Sequence, residues 1–388
     1  MKKAGLYRVM KNVRVTENQS IVVDGKSAVN FSSNDYLGFC QDKEILRLCM
    51  ERMKDSGSGA GASRLISGNL PCHAELEEIL ARMKRKEKAL VFGSGYLSNL
   101  ALLSSLPGPG DLVLSDELNH ASIIDGCRLS RGTVVTYPHK NMVWLKSYLE
   151  EHRDDYGLAF IVSDGVFSMD GDMVDLRELY KLALAFDLVP VIDEAHSTGV
   201  LGESGRGIES HYGLDMPSSI IMGTLGKALG SYGAFVCGTQ KLIDFLVNRS
   251  RSFIYSTALN PPAVISATCC VEKILDDDSR VGKLWENIGI FKDCLADSGI
   301  KLKSDSAIFP VIVGESDKCM RLSGELIERG FFIHGIRPPT VPTGTARLRI
   351  SLSATHKAND IISMTESLIE LMDKYDVSPE SPCGTENE

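Results

Sequence analysis

Lys227 lies in the run Gly223-Thr224-Leu225-Gly226-Lys227-Ala228-Leu229-Gly230, directly after the apolar Ile220-Ile221-Met222. Small residues on both sides let a second molecule approach the backbone closely. An amine held there suits carbonyl chemistry, in which nitrogen attacks an aldehyde to form a covalent link. A solvated loop lysine accounts for the same run, so the amine needs partners from elsewhere in the chain. Asp193 closes an apolar run and opens Asp193-Glu194-Ala195-His196. A carboxylate buried there demands a positive partner; an aspartate capping the next helix reads as well. Ser94-Gly95-Tyr96 follows a short apolar run, and a strand, a glycine turn and a helix N-terminus together favour an anion. A plain strand-to-helix turn favours glycine equally.

The commonest biological aldehyde for a lysine amine is pyridoxal 5'-phosphate. It requires a carboxylate at its ring nitrogen, donors for its phosphate and a flat group on its ring. Asp193 suits the first, and Ser94, Gly95, Tyr96 and Thr224 suit the second. His120 suits the third, with a histidine satisfied in the core as the competing reading. His196 would lie near the ring's phenolic oxygen, with Ser168 supporting the same side. Each residue has an ordinary structural explanation taken singly; their common placement is harder to explain that way.

That placement comes from the elements. Apolar runs at 89–92, 111–115, 134–137, 159–164, 189–192, 220–222 and 234–237 read as strands. Helical periodicity occupies 42–54, 72–86, 144–151 and 176–186. This alternation predicts an α/β domain with a mostly parallel seven-stranded sheet. The polar candidates fall at the C-terminal ends of its strands, where such sheets bind ligands. Four segments are expected: 1–40 with a hairpin turning at Asp24-Gly25, a large domain over 41–276, a smaller α+β domain over 277–376, and a polar, flexible tail over 377–388. Residues 1–18 carry Leu6, Val9 and Met10 at roughly helical spacing.

Composition narrows the partners. With 43% hydrophobic and 24% charged residues, the 388-residue chain falls among globular proteins. A formal charge of -9 argues against nucleic acid and anionic membrane. The 10 cysteines are scattered without ligand spacing, so buried thiols in a reducing cytosol are expected and a metal site is not. The polar N-terminus lacks an apolar signal core and no run reaches membrane-span length. A cytoplasmic protein is expected.

Several stretches taken together resemble one family. Asn34-Asp35-Tyr36-Leu37-Gly38, Leu118-Asn119-His120-Ala121-Ser122, Val166-Phe167-Ser168-Met169-Asp170-Gly171, Asp193-Glu194-Ala195-His196-Ser197-Thr198-Gly199 and Thr224-Leu225-Gly226-Lys227 are similar to signatures of the α-oxoamine synthases. The likeness runs from about Asn30 to His356. These are pyridoxal-phosphate enzymes of the aspartate-aminotransferase-like fold (fold type I), which condense an amino acid with an acyl thioester and release carbon dioxide. The resemblance implies that Lys227, His196 and His120 are catalytic. It also implies that Arg349 holds the amino-acid carboxylate, that Asn34 and Thr340 contact substrate, and that Thr257 reaches the phosphate of a neighbouring subunit in a homodimer. Arg8 and Arg14 both fit a substrate-contacting arginine near the N-terminus.

Gly335-Ile336-Arg337-Pro338-Pro339-Thr340-Val341-Pro342 is most similar to the members that join L-alanine to a pimeloyl thioester, on coenzyme A or acyl carrier protein, in biotin biosynthesis. Glycine C-acetyltransferase is the nearest alternative, and 5-aminolevulinate synthase carries a related Pro-Thr-Val-Pro. A non-catalytic partner subunit is disfavoured because Lys227, Asp193 and His196 are all present. A nucleotide-dependent dehydrogenase lacks its glycine fingerprint here.

Overall fold

Seven strands form the central sheet of a computed structural model that describes residues 8–17 and 19–378. They are β1 (Lys88–Phe92), β2 (Leu112–Asp116), β3 (Thr133–Tyr137), β4 (Ala159–Asp164), β5 (Leu188–Asp193), β6 (Ile220–Thr224) and β7 (Ala234–Gly238), in the order β1-β7-β6-β5-β4-β2-β3. All neighbours are parallel except β7, which runs antiparallel to both β1 and β6. The mostly parallel seven-stranded sheet is as expected. Helices cover its faces, so β2 and β4 are buried along their whole length. That is why they read as unbroken apolar runs rather than alternations. β3 lies at the edge and is largely exposed.

The helix Ala121–Leu129 was not among the expected elements. It is short, and Gly126 in its middle weakens the helical signal by about 1 kcal/mol relative to alanine. Packing leaves little room for a larger residue. A Cβ there would stand 3.1 Å from Asn99 O and 3.0 Å from Leu103 Cβ, both on the helix Gly95–Ser105. The two helices cross in close contact over the Leu102, Ile123 and Val113 core.

The N-terminal expectation needs correction. Val9 and Met10 are exposed and belong to no element, and Leu6 lies outside the described residues. The ordered structure is instead a strand, Val13–Glu17, antiparallel to Ser20–Val23. The alternation in Val13-Arg14-Val15 outweighs a helical spacing carried by three residues. The next turn is a tight one, with φ of 49° at Asp24 and 88° at Gly25, as an Asp-Gly hairpin requires.

The chain divides into two units. One comprises 42–167 and 173–278 and contains the seven-stranded sheet. The other comprises the described residues of 1–41, 168–172 and 279–388. It contains the hairpin, the antiparallel pair Ile308–Gly314 and Ala346–Ser351, and the helices Ser279–Asp297, Ser316–Glu328 and Ala358–Lys374. The tail expected at 377–388 lies outside the described residues beyond 378. The short segment 168–172 is gripped within this second unit. Arg347 forms an ion pair with Asp170, and Ser306 Oγ donates to Gly171 O at 2.8 Å. Gly171 adopts φ +74°, and a Cβ on it would meet Ile308 O at 2.1 Å.

Within the sheet unit, Glu194 follows the end of β5 and forms a buried ion pair with Lys84. Thr198 Oγ1 accepts from the same ammonium at 2.8 Å, and Ile208 N donates to Glu194 Oε1 at 3.0 Å. Removing one partner strands a charge in low dielectric. Lys84→Met and Glu194→Gln are each expected to lower stability by about 3–5 kcal/mol in urea unfolding. A loss below about 1 kcal/mol, the size of a surface pair, would contradict this account.

Candidate active site

Asp193 is the last residue of β5 and is 5% exposed. Its Oδ2 accepts from Asn99 Nδ2 at 2.8 Å and its Oδ1 from Ala195 N at 2.9 Å. Both donors are neutral, and Asp193 makes no ion pair among the described residues. A buried carboxylate in that state awaits a cation. Asn99 Nδ2 also donates to Ser122 Oγ at 2.9 Å, and Ser122 Oγ lies 2.7 Å from His120 Nδ1. His120 caps the N-terminus of the helix Ala121–Leu129. Burial pushes its imidazole below the usual range; Asp193 opposes this and the Lys227 cation reinforces it. A neutral ring suits packing against another flat system.

Lys227 follows β6. The loop is tied down by Leu225 N to Gly233 O at 2.9 Å and by Gly230 N to Lys227 O at 2.9 Å. Gly230 takes φ 57°, the left-handed conformation that returns the chain to β7. Lys227 Nζ lies 2.7 Å from Nε2 of the buried His196. Thr224 Oγ1 accepts from Gly226 N at 3.2 Å and donates to Gly233 O at 3.1 Å. Ser94 caps the helix Gly95–Ser105 by accepting from Leu97 N. The expected Asp193 and His120 thus meet in one circuit through the helix residues Asn99 and Ser122, while His196, just past the same strand as Asp193, pairs with Lys227 beyond the neighbouring strand.

Tyr96 and Thr257 stand apart from that circuit. The Tyr96 hydroxyl donates to Asp125, and the residue is 42% exposed. Thr257 is exposed and bridges to Ser63. Three residues of the circuit escaped sequence reading: Asn99, Ser122 and Asp164, whose Oδ2 accepts from His120 N at 3.0 Å. The available signal for Asn99 was its position one helical turn after Gly95, which puts it on the face of the Ser94 cap.

The other unit contributes a second arrangement. Arg349 is 7% exposed in Ala346–Ser351. Its Nε donates to Ser168 O at 2.6 Å, Nη1 to Ser351 Oγ at 2.9 Å and Nη2 to Asn34 Oδ1 at 3.1 Å. The buried Tyr36 hydroxyl also faces the guanidinium. These partners are neutral, and no carboxylate pairs with Arg349 among the described residues. A buried guanidinium of this kind awaits an anion, and its planar fork matches a carboxylate. The structure thereby brings Asn34, Ser168 and Arg349 together. Thr340 is exposed, and its Oγ1 accepts from Arg8 Nη2 at 2.7 Å. Arg14 sits instead on the exposed strand Val13–Glu17, opposite Val22.

The donor set fits the cofactor that the sequence resemblance implies. Asp193 offers a charge without a resident cation, Lys227 an amine, His120 a neutral ring and the Ser94 cap a helix N-terminus.

Comparison with known proteins agrees with this geometry. The family model for aminotransferase class I and II matches residues 26–368. The 8-amino-7-oxononanoate synthase of Geobacter sulfurreducens is 44% identical over 365 residues, covering 93% of either chain. A solved structure of SPT with PLP has a TM-score of 0.90 at 27% identity, covering 97% of this chain and 96% of that one. The 8-amino-7-oxononanoate synthase of Francisella tularensis has a TM-score of 0.75 at 28% identity, covering 90% and 98%. The aspartate-aminotransferase-like architecture is therefore the one expected. The chain belongs to the aminotransferase class I and II family, among the relatives of its 8-amino-7-oxononanoate synthases.

Proposed function

We propose that this chain is a pyridoxal-phosphate-dependent acyltransferase that condenses L-alanine with a pimeloyl thioester to give 8-amino-7-oxononanoate, carbon dioxide and a free thiol, the step made in biotin biosynthesis. The observation that carries the chemistry is the Lys227 amine, 2.7 Å from His196, with buried Asp193 on the neighbouring strand end. The 8-amino-7-oxononanoate synthases matched over 93% of the chain support the substrate pair. The acyl carrier is coenzyme A or acyl carrier protein. Among the described residues no helix is long and apolar enough to cross a membrane. A homodimer, in which Thr257 serves the neighbouring site, and a cytoplasmic location complete the reading.

Pyridoxal phosphate, when bound, supplies an electron sink for the carbanion that alanine forms on losing its α-proton. Asp193 would hold the proton of the cofactor's ring nitrogen, since a buried carboxylate stabilises a positive partner. Lys227 would hold the cofactor through its amine, and the same amine is the group that would take the alanine α-proton. His196 exchanges a hydrogen bond with the lysine nitrogen and keeps it oriented. Arg349 binds the alanine carboxylate through its fork, and Asn34 and Ser168 hold that fork in place. A carbon–carbon bond joins the alanine α-carbon to the thioester carbonyl and the thiolate leaves. The carboxyl group departs as carbon dioxide, and a proton returns to the same carbon.

Three outcomes test this. Lys227→Ala is expected to abolish turnover together with the visible absorbance band that the holoenzyme shows; a variant retaining both would sink the assignment. Arg349→Lys keeps charge but loses the fork, so KM for alanine should rise on the order of 10- to 100-fold while the thioester KM stays put. Finally, alanine and glycine are assayed against pimeloyl-CoA, acetyl-CoA and succinyl-CoA. Alanine with the pimeloyl donor should dominate, and a preference for glycine with acetyl-CoA would point to glycine C-acetyltransferase instead.

A further inference from the structure

Asp164 has no part in the chemistry above, yet it lies within the same circuit. It ends β4, is 5% exposed, and stands in register beside Asp193 at the end of β5. Its Oδ2 accepts from the main-chain N–H of His120 at 3.0 Å. Its own N–H donates to Asn119 Oδ1 at 2.8 Å, while Asn119 Nδ2 donates to Val162 O at 2.9 Å and to Ser115 Oγ at 3.0 Å. The dipeptide Asn119–His120 is thereby clipped to the end of β4. On its other side His120 is tied to Asp193 through Ser122 and Asn99. The His120 N–H lies outside the hydrogen-bond ladder of the helix it caps, so Asp164 supplies the acceptor that fixes it.

We propose that Asp164 is a positioning residue for the reaction: it fixes His120 through the main-chain N–H, and with it the ring that packs on the cofactor. This rests on the cofactor reading above. A rotation of the His120 backbone would carry its ring with it, so a main-chain hydrogen bond that holds this backbone would also hold the ring in place. The bond does not depend on charge. Burial, with the charge of Asp193 adding to it, pushes the Asp164 carboxyl well above the usual range; Lys227 and the His120 N–H pull it back, and Asp116 pushes the same way as Asp193. A neutral carboxyl still accepts through its carbonyl oxygen. The hydrogen bond itself is therefore what the reaction uses, and an amide in the same place provides it.

The holoenzyme separates the acceptor from the charge. Asp164→Asn keeps an oxygen in position; Asp164→Ala removes it, and Asp164→Leu removes it while retaining bulk should the alanine variant fold poorly. Each is reconstituted with pyridoxal phosphate, and the circular dichroism of the visible band is measured with the cofactor release rate and the kinetics. Asp164→Asn should match the wild type within about twofold in all three, because the single bond is kept. Asp164→Ala or Asp164→Leu should lose most of the induced dichroism and release the cofactor about 10-fold faster, the cost of one lost hydrogen bond of roughly 1.4 kcal/mol. Their kcat should fall while KM for alanine, held at Arg349, stays level. Wild-type dichroism and release in the alanine or leucine variant would overturn the proposal. So would Asp164→Asn behaving like them, since the charge would then be the active feature. A wild-type protein that develops no visible band with pyridoxal phosphate would overturn the cofactor reading, and the proposal with it.

Discussion

The site depends on one electrostatic imbalance: among the described residues, the buried Asp193 has no ion-pair partner. Its neighbour Glu194 is the counter-example. Both follow the same apolar strand, but successive side chains at a strand end point to opposite sides. Glu194 meets Lys84, Thr198 and the Ile208 N–H, and its charge is neutralised within the fold. Among the described residues, the Asp193 carboxylate accepts from one amide side chain and one main-chain N–H. One carboxylate is structural because its cation is built in. The other is available for a ligand because its cation is not. Gly207 keeps the structural half intact, since a Cβ there would collide with the Glu194 carboxylate at 2.0 Å.

Arg349 repeats the logic with the opposite sign. It is buried and oriented by neutral acceptors, with no carboxylate paired to it among the described residues. Contrast Arg347, two residues earlier on the same strand and also buried, which is paired with Asp170. Pairing again separates a residue committed within the fold from one whose charge is open to a ligand. In both units the fold supplies rigid neutral donors or acceptors and withholds the counter-charge, and the cost of that burial is offset when the ligand arrives.

Much of this was legible in the chain. The buried parallel strands announce themselves because strands covered by helices on both faces are continuous apolar runs, and polar residues at their C-terminal ends mark the edge where such sheets bind ligands. Lys227, Asp193, His196 and His120 could be picked out by chemistry at those positions, whereas Arg349 came only from the family resemblance. Partners set by tertiary contact could not. Lys84 is 110 residues from Glu194, and nothing local distinguishes it from the other basic residues of its helix. The helix Ala121–Leu129 was hidden by the glycine where its packing leaves little room for a larger residue. The different settings of Arg8, beside Thr340, and Arg14, on an exposed strand, became visible only in the coordinates.

The residues that could not be read from sequence share a role: they orient those that could. Asn99 carries a hydrogen bond from Asp193 to Ser122, Ser122 carries it to His120, and Asp164 holds His120 from the other side. A reacting lysine needs a particular residue type, so it leaves a mark in the sequence. An orienting residue needs only an acceptor or donor at a given point, which Asn, Ser, Asp or a main-chain amide can provide equally well. Sequence patterns therefore expose the groups that do chemistry, whereas the accuracy with which those groups are placed is encoded in contacts between strand ends.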